Sequence, residues 1–219
     1  MKVFIIIPCY NEAESLPLIL RAARSYGRTV VVDDGSVDQS ATVAEQHGDV
    51  VLSHLINRGQ GAALATGNQY ALLNGADIVV HFDADGQHQA AEIPLLIQPI
   101  VLGRAEVVLG SRFLKQNQTP WFKKHFILKP VIFFQNLLLG VKLTDAHNGF
   151  RAFSAAALAK IELKQDGMAH ATEIIEQLIL HKLKYQEIPV TITYHDFGQG
   201  FMAGLRILRD LLFGKINKN

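Results

Sequence analysis

The chain has 219 residues, of which 49% are apolar and 19% are charged, and this composition excludes general disorder. It carries 21 basic and 20 acidic residues, so no global positive field favours a nucleic-acid partner. The single cysteine, Cys9, excludes a disulfide within the chain. No apolar stretch reaches the length needed to cross a bilayer, and we expect a cytoplasmic protein.

Short apolar runs alternate with helical patterns over the first half of the chain. The predicted strands span 2–8, 28–34, 49–55, 76–85 and 105–113. The predicted helices between them span 13–26, 36–48, 59–75 and 90–103, and Ser36 is the expected N-cap of the second. Strands that are apolar throughout and separated by helices indicate an α/β fold, with a mostly parallel central sheet and helices on both faces.

The second half is less regular. In chain order we predict an aromatic-rich, partly helical segment (120–140), a polar turn with a short strand (144–154), an amphipathic helix (171–185), a strand (186–195) and a basic amphipathic helix (204–218). Neither an internal repeat nor a low-complexity linker divides the chain. The pattern therefore predicts a single domain.

Polar residues collect where the predicted strands end. The ends are "PCYNE", "DDGS", "DADGQH" and "GSRF". In parallel α/β sheets, ligands bind beyond the carboxyl ends of the strands. We therefore expect these four segments to line one binding site.

The pair Asp83 and Asp85 is the strongest chemical signal. A single acid at a strand end is usually a solvated charge or a helix N-cap. Residues two apart point to the same side of an extended chain, so these two carboxylates are expected to converge and to need a cation. Mg²⁺ or Mn²⁺ suits such oxygen ligands and commonly keeps substrate phosphates in its shell. Gln87 continues the spacing and could add an amide oxygen.

Two further strand ends carry groups that suit a nucleotide. Asp33 or Asp34 could accept hydrogen bonds from a base or a ribose, and we assign Asp33 to the nucleoside. Arg112 and Arg151 could neutralise phosphate with a fork of donors, although an arginine is more commonly a plain surface residue.

Six motifs together resemble the family 2 glycosyltransferases, which are inverting enzymes with the GT-A fold. They are "PCYNE" (8–12), "DDGS" (33–36), "NRGQGAALATG" (57–67), "DADGQH" (83–88), "GSRF" (110–113) and "DAHNGFRAF" (145–153). Their order and spacing are most similar to the dolichol-phosphate mannose synthase-like branch. The chain departs from that branch at Asn148, where serine is common, and in 195–204, which carries no Lys or Arg.

The resemblance implies a role for each matching residue. A nucleotide-sugar-binding half (1–113) and an acceptor-side half (114–219) would share a cleft. The implied donor-binding residues are Pro8, Tyr10, Glu12, Asp33, Asp34, Asp83, Ala84, Asp85, Arg112 and Arg151. The implied metal ligands, for Mg²⁺ or Mn²⁺, are Asp83, Asp85 and Gln87. The implied substrates are a UDP- or GDP-linked sugar and a lipid-phosphate or saccharide acceptor.

The need for a catalytic base depends on the acceptor. A hydroxyl acceptor needs a carboxylate to remove its proton, and the candidates are Asp145 first and Glu173 second. A phosphate acceptor is already ionised and needs none. Arg112 could assist catalysis by stabilising charge on the leaving diphosphate.

Several other features keep more than one interpretation. His170 and His195 are metal ligands or buried hydrogen-bonding residues. The segment "WFKKHF" (121–126) is an acceptor loop, a membrane contact or a plain surface helix. The tail helix (204–218) lies on the inner face of an anionic membrane as a peripheral contact, packs on its own domain, or forms a homodimer.

Three other function classes fit the sequence less well. A sugar-nucleotide pyrophosphorylase usually has a glycine-rich, basic early loop, whereas "PCYNEAES" has neither glycine nor a basic residue. A dehydrogenase would show GxGxxG after the first strand, and this chain does not. A degenerate binding module that has lost turnover is the non-enzyme alternative, and the intact acids and arginines argue against it.

Overall fold

The computed structural model describes residues 1–114, 136, 140–145 and 147–193. The strands are β1 (Val3–Cys9), β2 (Arg28–Asp33), β3 (Val50–Ser53), β4 (Ile78–His81), β5 (Val107–Ser111), β6 (Arg151–Ser154) and β7 (Tyr185–Pro189). The helices are α1 (Leu16–Ala23), α2 (Ser40–His47), α3 (Gln60–Leu73), α4 (Ile93–Val101), α5 (Ala155–Leu158) and α6 (His170–Leu180), with a 3₁₀ turn at Ala90–Glu92.

Within the described residues, seven strands form one sheet in the order β3-β2-β1-β4-β6-β5-β7. The neighbours pair in parallel except at β6, which runs antiparallel to both β4 and β5. The predicted mostly parallel α/β sheet is confirmed. The direction of β6 was not predicted, because nothing in a four-residue strand after a polar turn indicates which strands it pairs with or in which direction it runs.

The core lies on both faces of the sheet. Along β1, Ile5 and Ile7 belong to one apolar cluster, which includes residues of α1 and α4. Phe4 and Ile6 belong to the other, which includes residues of α3 and α6. Successive side chains of a strand point to opposite faces, so a strand buried on both faces must be apolar throughout. The run "VFIII" meets this requirement.

Two predicted boundaries are wrong in ways that affect the site. Strand β4 ends at His81, so Asp83 and Asp85 lie in a turn that contains Gly86 at φ +71°. The argument from an extended chain therefore does not apply to them. Helix α2 begins at Ser40, and the Ser36 hydroxyl instead accepts a hydrogen bond from the Asn11 amide.

Some predictions fall outside the described residues. These are the segment 121–126, His195 and the tail helix 204–218. Among the helices that are described, none combines the length and apolar character that crossing a membrane requires.

Candidate active site

A cleft of about 420 Å³ opens at the carboxyl ends of β1, β4 and β5. Its volume is in the range of small-molecule sites. Every motif of the sequence contributes to its wall. The lining residues include Pro8, Tyr10, Glu12, Asp34, Asn57, Gly59, Gln60, Asp83, Ala84, Asp85, Gln87, His88, Arg112, His147, Asn148, Gly149, Arg151 and His170. The parallel strands thus bring distant motifs to one edge of the sheet, as the sequence predicted.

The Asp83 carboxylate is held from two sides. Gln60 Nε2 donates to its Oδ1 at 2.8 Å, and His88 Nε2 lies 3.2 Å from its Oδ2. Burial acts to raise the pKa of Asp83, but the His88 hydrogen bond and the charge of Arg151 outweigh it, and the pKa is lowered. Asp83 is therefore ionised and oriented at neutral pH.

Asp85 lies in the same turn and faces the same cleft. Its Oδ1 accepts a hydrogen bond from the Gln87 amide at 3.0 Å. Burial and the neighbouring charge of Asp83 raise the pKa of Asp85. Burial and nearby acids, including Asp85, also raise the pKa of Glu12. A cation between these groups would relieve the repulsion between the carboxylates.

The donor set fits a hard divalent cation. Asp83, Asp85 and the Gln87 amide offer oxygen ligands at the cleft, which is the chemistry that Mg²⁺ and Mn²⁺ prefer. Among the described residues, no group of three or more His, Cys, Asp and Glu side chains is arranged to hold a metal ion. An ion here would therefore take part of its shell from the substrate, as Mg²⁺ commonly does with phosphates.

Gly149 forms the wall behind Asp83. A Cβ atom at this position would overlap the Asp83 carboxylate. The glycine of "NGFR" thus allows β6 and its preceding turn to approach the acidic turn closely. This contact explains why glycine, rather than any other small residue, suits this position.

Arg151 is fully buried at the start of β6, where it pairs with His81 of β4. Burial lowers the pKa of its guanidinium to about 10, although the charges of Asp83 and Asp145 oppose that effect. The group still carries its charge at neutral pH. A buried cation near the acidic turn can attract a diphosphate or an acceptor phosphate.

Three histidines around Arg151 are neutral at pH 7. Burial and the Arg151 charge lower the pKa of His170 to about 4 and that of His81 to about 3. Burial lowers the pKa of His147 to about 4 as well. Neutral imidazoles can line the site without adding to the positive charge of Arg151.

Arg112 and Asp145 form a two-pronged ion pair. Arg112 Nε and Nη2 donate to the two Asp145 oxygens at 2.6 and 2.7 Å, and the Arg112 amide donates to Oδ2 at 3.0 Å. The Asp145 side chain is fully buried. Both oxygens are engaged with Arg112 away from solvent, so the geometry gives Asp145 a contact with Arg112, and its role as a general base stays a prediction. Its observed contacts orient Arg112, which lines the cleft.

Glu173, the second candidate base, is not at the cleft. It lies on α6 beside a different cavity of about 1020 Å³. Its carboxylate accepts hydrogen bonds from the amides of Lys164 and Gln165. In this position Glu173 anchors the loop before α6.

The two acids at the end of β2 have different surroundings. Asp34 accepts hydrogen bonds from the amides of Arg58 and Gly59, and His54 Nδ1 lies 2.6 Å from it. Its carboxylate anchors this loop and also lines the cleft, and a direct contact with the donor stays a prediction. Asp33 is buried and outside the cleft lining, and its Oδ1 has no hydrogen-bond partner among the described residues.

The remaining predicted donor contacts lie at the rim and floor. Pro8 is buried near the end of β1, and the half-exposed Tyr10 follows the last residue of that strand. The Ser15 hydroxyl contacts both the Glu12 carboxylate and the Ala84 carbonyl, so the early loop and the acidic turn are fixed to each other. The buried Ala84 therefore acts as an anchor of the turn.

Sequence reasoning missed several residues that contact the key acids. Gln60, His88 and Gly149 all touch Asp83, and His147 and Asn148 line the same cleft. All five fall inside the motifs quoted for the resemblance. Their place in those motifs was the sequence evidence for a role in the site. Only the folded structure shows which residue each of them contacts.

A family model described as Glycosyl transferase family 2 matches residues 4–162. The chain belongs to this family. The match spans every lining residue named above except His170, and it identifies the chain as a glycosyltransferase rather than a pyrophosphorylase.

Curated relatives align over nearly the whole chain. An uncharacterized protein of Methanocaldococcus jannaschii is 34% identical, over 98% of this chain and 93% of the relative. The UDP-N-acetylglucosamine–dolichyl-phosphate N-acetylglucosaminyltransferase of Methanococcus voltae is 31% identical, over 99% of this chain and 97% of the relative. The polyprenol monophosphomannose synthase of Mycolicibacterium smegmatis is 31% identical, over 97% and 84%.

Solved structures share the fold. Glucosyl-3-phosphoglycerate synthase from Mycobacterium tuberculosis, in complex with Mn²⁺, UDP and glucosyl-3-phosphoglycerate, superposes with a TM-score of 0.75 at 16% identity, over 97% of this chain and 79% of that one. The same enzyme with Mg²⁺ and UDP gives a TM-score of 0.76. The predicted glycosyltransferase fold is thereby confirmed.

Proposed function

We propose that this family 2 glycosyltransferase moves a sugar from a nucleoside diphosphate to a lipid-linked phosphate, with inversion and with the help of Mg²⁺ or Mn²⁺. The observation that carries the proposal is the acidic turn, in which Asp83 and Asp85 face the cleft close to the buried cation Arg151. Two carboxylates and a guanidinium together provide for a metal and for phosphate.

The donor would lie along the carboxyl edge of the sheet. Asp83, Asp85 and Gln87 would hold the cation, which when bound neutralises charge on the leaving diphosphate. Asp33 stays the proposed nucleoside contact, because its Oδ1 has no hydrogen-bond partner among the described residues and its neighbour Asp34 lines the cleft. Tyr10 offers a ring at the rim, and Arg151 adds a fixed positive charge.

The contacts of Asp145 favour a phosphate acceptor, because both of its oxygens are bound by the Arg112 guanidinium. An acceptor phosphate oxygen is already ionised, so it can attack the anomeric carbon directly while the bond to the diphosphate oxygen breaks on the opposite side. The products are a sugar-phosphate lipid and the nucleoside diphosphate, and no proton has to move. The names of the relatives from Methanococcus voltae and Mycolicibacterium smegmatis support the same acceptor class.

The first experiment is calorimetric binding of UDP and of GDP, each with and without Mn²⁺, to the wild type and to Asp83→Ala. We expect one nucleotide to bind in a metal-dependent way and the variant to lose that binding. Absence of binding for both nucleotides in the wild type would overturn the donor assignment.

A transfer assay then identifies the acceptor class. The matching nucleotide sugar is offered with a short polyprenyl phosphate or with a free saccharide, and the anomeric configuration of the product is read by NMR. Transfer to the lipid phosphate with inversion supports the proposal. Transfer to the saccharide alone, or with retention, contradicts it.

A further inference from the structure

Among the residues that the structure describes, each oxygen of the Asp83 carboxylate has one hydrogen-bond partner. Gln60 Nε2 lies 2.8 Å from Oδ1, and His88 Nε2 lies 3.2 Å from Oδ2. Because a carboxylate only accepts hydrogen bonds, the nitrogen of the Gln60 amide is the end that faces it. Each oxygen keeps a lone-pair direction for a second partner. The carboxylate is thus oriented while its capacity to bind a cation remains.

Gln60 differs from His88 in its place in the chain. His88 follows Asp83 in the same turn, whereas Gln60 is 23 residues earlier, at the first position of α3. A residue of another element can hold the carboxylate against rotation of the turn itself. Gln60 therefore links the position of α3 to the geometry of the acidic turn.

The start of α3 is anchored on both sides. Asp34 accepts hydrogen bonds from the amides of Arg58 and Gly59 just before the helix. The Asp166 carbonyl accepts from the Gly61 amide at 2.8 Å, and the Asp166 carboxylate pairs with the Arg58 guanidinium at 3.2 Å. Gly59 adopts φ +113°, a backbone conformation that favours glycine. These contacts place the Gln60 side chain in the cleft.

The chemistry of an amide suits this position. A lysine here would also donate to Asp83, but its charge would repel a cation bound to the same carboxylate. An amide donates a hydrogen bond without adding net charge. Groups that hydrogen-bond a metal-ligating carboxylate fix its orientation and contribute to metal affinity.

We propose that Gln60 is a positioning residue that fixes the Asp83 carboxylate for a divalent cation, an inference that rests on the metal assignment of the proposed function. Gln60 need not touch the cation itself. Its contribution is to hold Asp83 in the orientation that binding requires, so that less freedom is lost when the ion arrives.

The test is Mn²⁺ affinity in the presence of a saturating concentration of the nucleoside diphosphate that binds, measured by the electron paramagnetic resonance signal of free Mn²⁺. Two variants remove the hydrogen bond in different ways: Gln60→Met keeps the length of the side chain, and Gln60→Ala favours the helix. We expect both to weaken Mn²⁺ binding by about tenfold, the lower end of effects for such partners. Gln69→Met, on the exposed side of the same helix, is the matched control and should bind as the wild type does.

The outcomes separate this inference from the metal assignment. If the wild type binds Mn²⁺, Asp83→Asn abolishes binding and both Gln60 variants bind normally, only the role of Gln60 is overturned. If the wild type does not bind Mn²⁺ with or without nucleotide, the metal assignment itself fails. A melting temperature unchanged in at least one Gln60 variant shows that a loss of affinity is local.

Discussion

Asp145 is a carboxylate in a functional motif whose observed contacts are those of a buried ion pair. Its two oxygens bind the Arg112 guanidinium at 2.6 and 2.7 Å, and its side chain is fully buried. The pair holds the arginine at the cleft wall in one orientation. The cost of this arrangement is that part of the arginine charge is already compensated.

Asp145→Asn tests this assignment. The amide nearly preserves the shape but breaks the buried ion pair, so we expect the free energy of unfolding to fall by about 3 kcal/mol. Urea denaturation measures this change. Turnover should fall because Arg112 is displaced, while the pH profile of kcat keeps its shape. Loss of turnover beyond a thousandfold in a variant of wild-type stability would restore Asp145 as the base.

Gly149 provides a second prediction for a single residue. In Gly149→Ala the added methyl group overlaps the Asp83 carboxylate, which must rotate or shift. We expect Mn²⁺ affinity to fall at least tenfold, because the carboxylate leaves its orientation. Mn²⁺ titration is the measurement. Gly167→Ala is the control, since nothing lies within 4 Å of a Cβ atom there, and equal effects in both variants would contradict the explanation.

At the scale of elements, β7 fixes the turn that leads into β6. Glu187 on β7 accepts hydrogen bonds from the Thr144 amide and hydroxyl at 2.9 Å and from the Asp145 amide at 3.0 Å. The Ser111 hydroxyl at the end of β5 lies 2.6 Å from the Thr144 hydroxyl. The Arg112–Asp145 pair is therefore assembled from three strands rather than from one loop.

Glu187→Gln tests the role of β7. The amide keeps one acceptor oxygen but loses the charge and places an N–H₂ group against backbone donors. We expect a loss of about 1–3 kcal/mol in the free energy of unfolding, measured by urea denaturation. Glu14→Gln is the exposed control, for which no change is expected. A Glu187 variant as stable as the wild type would show that the turn does not depend on this anchor.

At the scale of the whole molecule, the sheet buries a cluster of histidines that remain neutral. Burial is the main cause of the lowered pKa values, about 3 for His81 and about 4 for His147 and His170. In the unfolded chain these groups titrate near their usual value of 6.5. Below that pH the unfolded state binds more protons than the folded state does.

Stability should therefore fall as the pH drops from about 6.5 towards 4. The expected slope is up to about 1.4 kcal/mol per pH unit for each histidine. The raised pKa values of Asp85 and Glu12 act in the opposite direction, so the net slope is smaller than the sum. Urea midpoints at pH 7.5, 6.5 and 5.5 measure it. His147→Gln should reduce the slope, and an unchanged slope would contradict the contribution of His147.

The residues that follow the strands were predictable because the signal is local. An apolar run that ends in polar residues identifies a strand end, and parallel topology brings such ends to one edge of the sheet. Pro8, Tyr10, Asp83, Asp85 and Arg112 were all placed in the cleft by this reasoning. The order of the motifs was enough to indicate the family.

The partners of those residues were decided by the tertiary structure alone. The antiparallel insertion of β6 between β4 and β5 brings Gly149 against Asp83 and places Arg151 beside His81. The Arg112–Asp145 pair spans 33 residues. Such contacts depend on how elements pack, which no local pattern records. The sequence by itself determined which groups carry the chemistry, and only the packing decided which of them are oriented for a ligand and which are committed to each other.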